Sequence, residues 1–306
     1  MSSQAAKLNE GIDLAGKNVA ISGGTQGIGA ATGIRFAQAG ASVFVIGRNE
    51  ELGNKVVEEL KKAGKGGKAE FIKADLSLVS SVKTLADQLK QKTGGELHYL
   101  ITTQGGPPNG TFSLTSEDHE SHFAIQVLSR FGLAYLLAQS GTLKDTWVTI
   151  CAPGGEKSAP PDLEDLELKN EEERQRYLPM RIIKAGTRDG AVMDGLVSQF
   201  SSAFPSLRAV HAFPGYVHTS AASNQSFPRP LVLLQSLFGP LLARTIGNTP
   251  TTYAEVPFYL AANPQARGKG LEYTNEKLKP LGAPSWTKDQ PELRKKLWEK
   301  MAAMIQ

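Results

Sequence analysis

Residues 18–29 read Asn-Val-Ala-Ile-Ser-Gly-Gly-Thr-Gln-Gly-Ile-Gly: a short apolar strand that runs into a glycine-rich turn and then a helix. That order suits a dinucleotide pyrophosphate. Gly23 permits the tight turn, Gly27 lets the backbone approach the phosphates, and Gly29 lets the helix pack closely on the strand. The helix N-terminus then offers N–H groups and a partial positive charge to the anion.

Working outward, the chain alternates strands and helices. Ser42 to Ile46 reads as a second strand, and Glu50 to Ala63 repeats apolar residues at helical spacing through Leu52, Val56 and Leu60. Ala69 to Lys73 is a third strand, and Val79, Val82, Leu85 and Leu89 give the inner face of the next helix. Leu97–Thr102 is a fourth strand, Ser116–Gln139 a long helix and Trp147–Cys151 a fifth strand. Residues 152–178, rich in Pro and Glu, break the rhythm and read as a loop. A helix over Ala191–Phe204, a strand Leu207–Ala212, a helical Thr251–Ala262, a last strand Gly270–Thr274 and an amphipathic tail helix Glu292–Met301 complete the pattern. Such alternation predicts an α/β fold, a single Rossmann-type doubly wound parallel sheet with helices on both faces. We divide the chain into an N-terminal extension (1–15), a nucleotide-binding catalytic domain (16–280, with a substrate lid at 219–250) and a tail helix (281–306).

Composition sets the bounds. The 306 residues carry a net charge of +4 with bases scattered among acids, which disfavours nucleic acid as a partner. The single cysteine, Cys151, excludes an internal disulfide and fits a reducing, cytoplasmic setting. With no basic group beside it in sequence, it is expected to be an unactivated, buried strand-end thiol. The N-terminus lacks the basic-then-apolar order of a signal peptide. The most apolar stretch, Pro230–Ala243, is too short for a membrane span and reads as a lid or peripheral helix. No metal site is expected.

Taken together, the motifs resemble those of the short-chain dehydrogenase/reductase family, over nearly the whole chain, and the C-terminal half is most similar to its fungal retinol-dehydrogenase-like branch. Ser22–Gly29 is similar to the family's Thr-Gly-x3-Gly-x-Gly loop, and Asp75-Leu76 to its adenine-binding strand end. Pro214-Gly215-Tyr216-Val217-His218-Thr219 resembles its nicotinamide clamp, and Leu297-Trp298 its closing element. The resemblance implies cofactor binding by Gly23, Thr25, Gln26, Gly27, Ile28, Gly29, Asn49, Asp75, Leu76, Gly105, Pro214, Gly215, Val217 and Thr219. NAD enzymes place an acid at the end of the second strand; here Gly47 is followed by Arg48, which welcomes a 2′-phosphate and points to NADP(H). The alternative for Arg48 is an ordinary surface arginine.

The resemblance also implies an Asn–Ser–Tyr–Lys catalytic group, and this chain departs from it. The asparagine aligns with Gln126, the serine with Ala152, the tyrosine with Gly186 and the lysine with Gly190. Tyr177 and Arg181 have the right mutual spacing, but Pro179 lies between them and they stand too far from Pro214. The two glycines point either to close helix packing, as at a subunit interface in a homodimer, or to room for a larger substrate. Asp189 is the first candidate for a replacement acid or cation-stabilising group; its alternative is an exposed helix-start residue paired with Arg188. Gln126 is a candidate for orienting substrate or water. His122, one turn before it, and Tyr216 read more simply as packed or surface residues, and Arg130 as the partner of an acid from 162–173. The expected function is NADPH-dependent reduction of an apolar, activated carbonyl, enone or imine, a small-molecule substrate. The alternatives are a non-redox cyclase or isomerase, or a silent NADP(H)-binding protein.

Overall fold

Alternate residues of each central strand divide between two apolar layers. Val19, Ile21, Val43, Val45, Ile101 and Val148 join one layer, whereas Ala20, Phe44, Ile46, Leu100 and Trp147 join the other. A strand apolar on both faces must be covered on both, which is the condition for a buried parallel sheet. The computed structural model, which describes residues 3–106, 108, 110–170, 178–217 and 247–306, has that sheet. Strands β1 (Asn18–Ser22), β2 (Ser42–Gly47), β3 (Ala69–Lys73), β4 (Leu97–Thr102), β5 (Leu143–Ile150), β6 (Arg208–Ala212) and β7 (Tyr273–Thr274) run parallel in the order β3-β2-β1-β4-β5-β6-β7.

One face is covered by α1 (Ser3–Leu8), α2 (Gly27–Gln38), α3 (Glu50–Ala63), α8 (Pro250–Tyr253) and α9 (Glu255–Ala262). The opposite face carries α4 (Val79–Lys92), α6 (Ser129–Gln139), α7 (Leu178–Ala203) and α11 (Pro291–Ala303). A short α5 (Ser121–Phe123) precedes α6, and α10 (Ser285–Asp289) precedes α11. The N-terminal segment is fastened to α9, where Asn9 Nδ2 donates to Glu255 Oε2 at 2.7 Å and Arg35 Nε pairs with Glu255 Oε1 at 2.8 Å. No helix among the described residues is long and apolar enough to cross a membrane.

The structure corrects four element boundaries. Residues 116–120 are not helical: Leu114 bridges Glu120, whose carboxylate accepts from the amides of His122 and Phe123 and so starts the helix at Ser121. That helix is not uniform, because Ala124–Leu128 forms a π-helical stretch between α5 and α6. α7 begins at Leu178 rather than Ala191, since Pro179 falls in its first turn, where a missing N–H costs nothing, and Ala185, Arg188 and Asp189 are buried. Burial overrides the unfavourable helix propensity of Gly186 and Gly190. β5 starts four residues early, and the expected helix 251–262 is two helices that meet at Ala254. The lid at Pro230–Ala243, together with Tyr177, His218 and Thr219, lies outside the described residues.

Candidate functional site

β1 pairs with both β2 and β4, so the chain leaves β1 on one side of the sheet and β4 on the other, opening a crevice at their carboxyl ends. The glycine-rich turn lines it. Gly23 has φ +73°, and a Cβ there would lie 2.6 Å from Gln104 N and 2.7 Å from Thr103 Oγ1. A Cβ on Gly29 would collide with the Gly23 carbonyl, and Gly27 has φ +56°. Each of the three positions excludes a side chain by contact or by conformation. The N-cap of α2, Gln26, is extended and gives the helix no side-chain cap. The facing wall is tied to the turn by Thr103 Oγ1, which donates to Ser22 O at 2.9 Å, and by Ser22 Oγ on Gln104 Oε1 at 2.6 Å.

The remaining described cofactor candidates follow the carboxyl ends of the strands or start the helices after them. Thr25 packs under Gly47 at the end of β2, Ile28 is half-buried, and Arg48 and Asn49 follow in exposed positions. Asn49 also caps α3, accepting from Leu52 N at 2.9 Å. Asp75 is exposed past β3 and accepts from Ser77 N at 3.0 Å, while Leu76 is buried. Gly105 (φ +95°) follows β4 and closes against Gln126 Oε1. Pro214 and Gly215 (φ +61°) follow β6, and Val217 bridges Asn248.

Gln126 stands in the π-helical stretch, a distortion frequent at functional sites. Its Oε1 accepts from Gly106 N at 3.4 Å and from Arg130 at 3.2 Å. Arg130 corrects its expectation. Rather than meeting an acid from 162–173, the fully buried guanidinium donates to Thr102 O, Ile150 O and Gln104 O, bracing the carboxyl ends of β4 and β5.

Asp189 is neither exposed nor at a helix start. It is buried in the body of α7, accepting from Arg188 Nε at 2.7 Å and facing His122 Nε2 at 2.8 Å. Burial alone would raise its pKa, but Arg188 and His122 outweigh this and hold it below the ordinary value. Arg188 also donates to Leu166 O at 2.7 Å. The structure thus joins Asp189, Arg188 and His122, and sets Gln126 apart with Arg130 and the Gly105–Gly106 turn. Gly190 is close-packed, a Cβ there falling 2.6 Å from Gly154 N, whereas one on Gly186 meets only Pro108 at 3.8 Å.

Cys151 also departs from expectation. Its Sγ lies 2.9 Å from His211 Nε2, and His211 Nδ1 lies 2.7 Å from Asp194 Oδ1, whose other oxygen accepts from Gly154 N at 2.8 Å. Burial pushes the thiol up, but His211 and Arg130 outweigh it and set the pKa below its usual value. Burial likewise opposes the His211 cation, yet Cys151 and Asp194 carry its pKa up to about 10. Nothing in the local sequence announces this. The neighbours come from the adjacent strand, where Thr149 pairs with His211, and from α7.

Comparison with known proteins gives a consistent picture. Residues 17–150 match the family model described as short chain dehydrogenase. An Emericella nidulans oxidoreductase is 28% identical over 211 residues, 68% of this chain but 60% of its own length. An uncharacterized oxidoreductase of Saccharomyces cerevisiae is 28% identical over 291 residues, 91% of this chain and 85% of that one. Among solved structures, a 7α-hydroxysteroid dehydrogenase complexed with NADH and 7-oxo glycochenodeoxycholic acid superposes with a TM-score of 0.62 at 23% identity, covering 86% of this chain and 94% of its own. Over residues 17–150 the chain is thus similar to the short chain dehydrogenase family.

Proposed function

We propose that the protein is an NADP(H)-dependent oxidoreductase that reduces an apolar, activated carbonyl, enone or imine. The observation that carries this reading is the crevice between β1 and β4, which admits no Cβ at Gly23 or Gly29 and is headed by the N-terminus of α2. The amides of residues 23–29, with Thr25, Gln26 and Ile28, would hold the pyrophosphate. Arg48 and Asn49 would meet the adenosine ribose and its 2′-phosphate, because residues 47–49 contain no carboxylate to repel it. Asp75 and Leu76 would flank the adenine, and Gly105, Pro214, Gly215, Val217 and Thr219 the nicotinamide. When bound, the reduced cofactor supplies a hydride. The names of the relatives, both oxidoreductases, support redox chemistry in either direction.

Gln126, Asp189 and Arg188 would be the chain's own groups toward the substrate. Ala152 and Gly186 contribute no acid, so the reading favours substrates whose acceptor carbon is already electrophilic. The same lack of an acid favours a second reading, a descendant that binds NADP(H) without redox turnover. The exposed Met180 and Ile183 on α7 suit a homodimer contact. Deuterium at C4 of NADPH decides between the readings: oxidoreduction carries the label into the product from a carbonyl, enone and imine panel, whereas tight NADPH binding without transfer supports the second.

A further inference from the structure

The geometry points to His122 as the group that gives the substrate oxygen its proton, with Asp189 as its positioning residue; this rests on the oxidoreductase reading. His122 Nε2 is anchored on the buried Asp189 carboxylate at 2.8 Å, and Nδ1 has no protein partner among the described residues. The ring keeps limited exposure, 13% for its side chain against 5% for Asp189. It lines a small cavity with Pro108, Gly110 and Ala185. Pro108 is also the one neighbour of a Cβ placed on Gly186, at 3.8 Å, so the cavity borders a position of α7 that carries no side chain, with Arg181, Ala185 and Arg188 of the same helix in its wall. His122 stands one turn before Gln126, and the cavity it shares with Pro108 and Gly110 adjoins the turn after β4 whose Gly106 amide donates to Gln126. A histidine fixed at one nitrogen by a buried carboxylate and open at the other is the arrangement by which imidazoles carry protons in catalysis.

Charged groups face the ring from several elements. Asp189 and Arg188 face it from α7, with Arg181 one cavity wall away. Glu120 contributes from its own helix start and Glu167 from the segment between β5 and α7. Glu167 is itself paired with His119 and Lys169, each at 3.3 Å. In the step, the hydride pair forms the new C–H bond and the carbonyl π pair moves to oxygen. The His122 Nδ1–H bond then breaks as O–H forms, leaving a neutral ring with Nε2–H still on Asp189. Solvent entering the cavity restores the proton.

The test uses the full-length wild type, His122→Gln and His122→Ala, with NADPH and phenanthrenequinone, cyclohexenone and a dihydroisoquinoline as probes. We expect His122→Gln to lower kcat on the quinone by about 100-fold or more, to leave NADPH binding unchanged by fluorescence, and to lose one limb of the pH profile. Imidazole should restore turnover to His122→Ala, which a folding defect would not allow. As a readout independent of turnover, diethyl pyrocarbonate should modify the His122 peptide, and NADP⁺ with the quinone should protect it. An active wild type with an unchanged rate and pH profile in His122→Gln, or a His122 that ligands fail to protect, overturns the assignment alone. Wild-type inactivity on every probe despite bound NADPH overturns the oxidoreductase reading and the assignment with it.

Discussion

A methyl group added at Gly190 would arrive 2.8 Å from the Pro153 carbonyl carbon as well as against Gly154 N, and backbone cannot step aside as a side chain end can. At Gly186, one turn earlier, the same methyl group makes only an ordinary contact with Pro108 at 3.8 Å. Gly190→Ala should therefore destabilise the protein by about 1–3 kcal/mol, while Gly186→Ala should stabilise it by up to about 1 kcal/mol through helix propensity. Urea midpoints of the two variants check the contrast. A second prediction concerns pH. Folded protein holds the His211 proton to about pH 10, whereas the unfolded chain releases it near 6.5, so that contribution falls as pH rises through this window. Cys151 acts oppositely, because its folded pKa lies below the 9.0 of the free thiol. Where both have shifted, one proton has only moved from sulfur to ring and the slopes cancel. Above pH 9 only the histidine slope remains, so stability should drop by about 1 kcal/mol between pH 9 and 10. His211→Asn should lack that drop in urea titrations. The sequence makes the glycine turn readable because three nearby residues carry it. Cys151, His211 and Asp194 were illegible because they meet only after β5, β6 and α7 have packed.

At the scale of elements, the π-helical stretch and α6 are held to the sheet by Arg130, whose side chain reaches strand ends that no backbone ladder continues. Removing it strands the carbonyls of Thr102, Gln104 and Ile150 in a dry interior. Arg130→Met should then cost roughly 3 kcal/mol or more, seen as a lower urea midpoint at unchanged slope. Periodicity located α3, α4 and the strands β2–β4 well, because each carries its apolar face at regular spacing. It misplaced the start of α7, where Arg188 and Asp189 face inward, since a buried ion pair reads in sequence as a solvated face. The helix before α6 was likewise extended too far, because Glu120 is a cap supplied by its side chain rather than a break in the apolar pattern.

At the scale of the whole molecule, the order β3-β2-β1-β4-β5-β6-β7 gathers segments from across the chain at one end of the sheet. A ligand spanning that end couples to global unfolding: NADPH at about 100 times its Kd should stabilise the protein by roughly 2.7 kcal/mol, read as a rise in Tm. If Arg48 meets the 2′-phosphate, Arg48→Glu should weaken NADPH binding by about 10- to 100-fold and spare NADH; equal losses for both cofactors would remove Arg48 from that role. The sheet and the cradle were legible in the sequence because strand alternation and glycine spacing are local signals, while the proton-handling end is a product of tertiary assembly.

Arg130 also governs how this protein can change over generations. One guanidinium serves the turn after β4, the end of β5 and Gln126 together, so those positions are locked into joint inheritance: altering Gln126 alone removes one of the two acceptors of the buried Arg130 Nη2. The opposite wall, around Ala152 and Gly186, has no such obligation. Mutant libraries spread over 152 and 185–187 should yield mostly folded proteins with new substrate ranges, whereas libraries at 126 and 130 should yield survivors only as matched pairs.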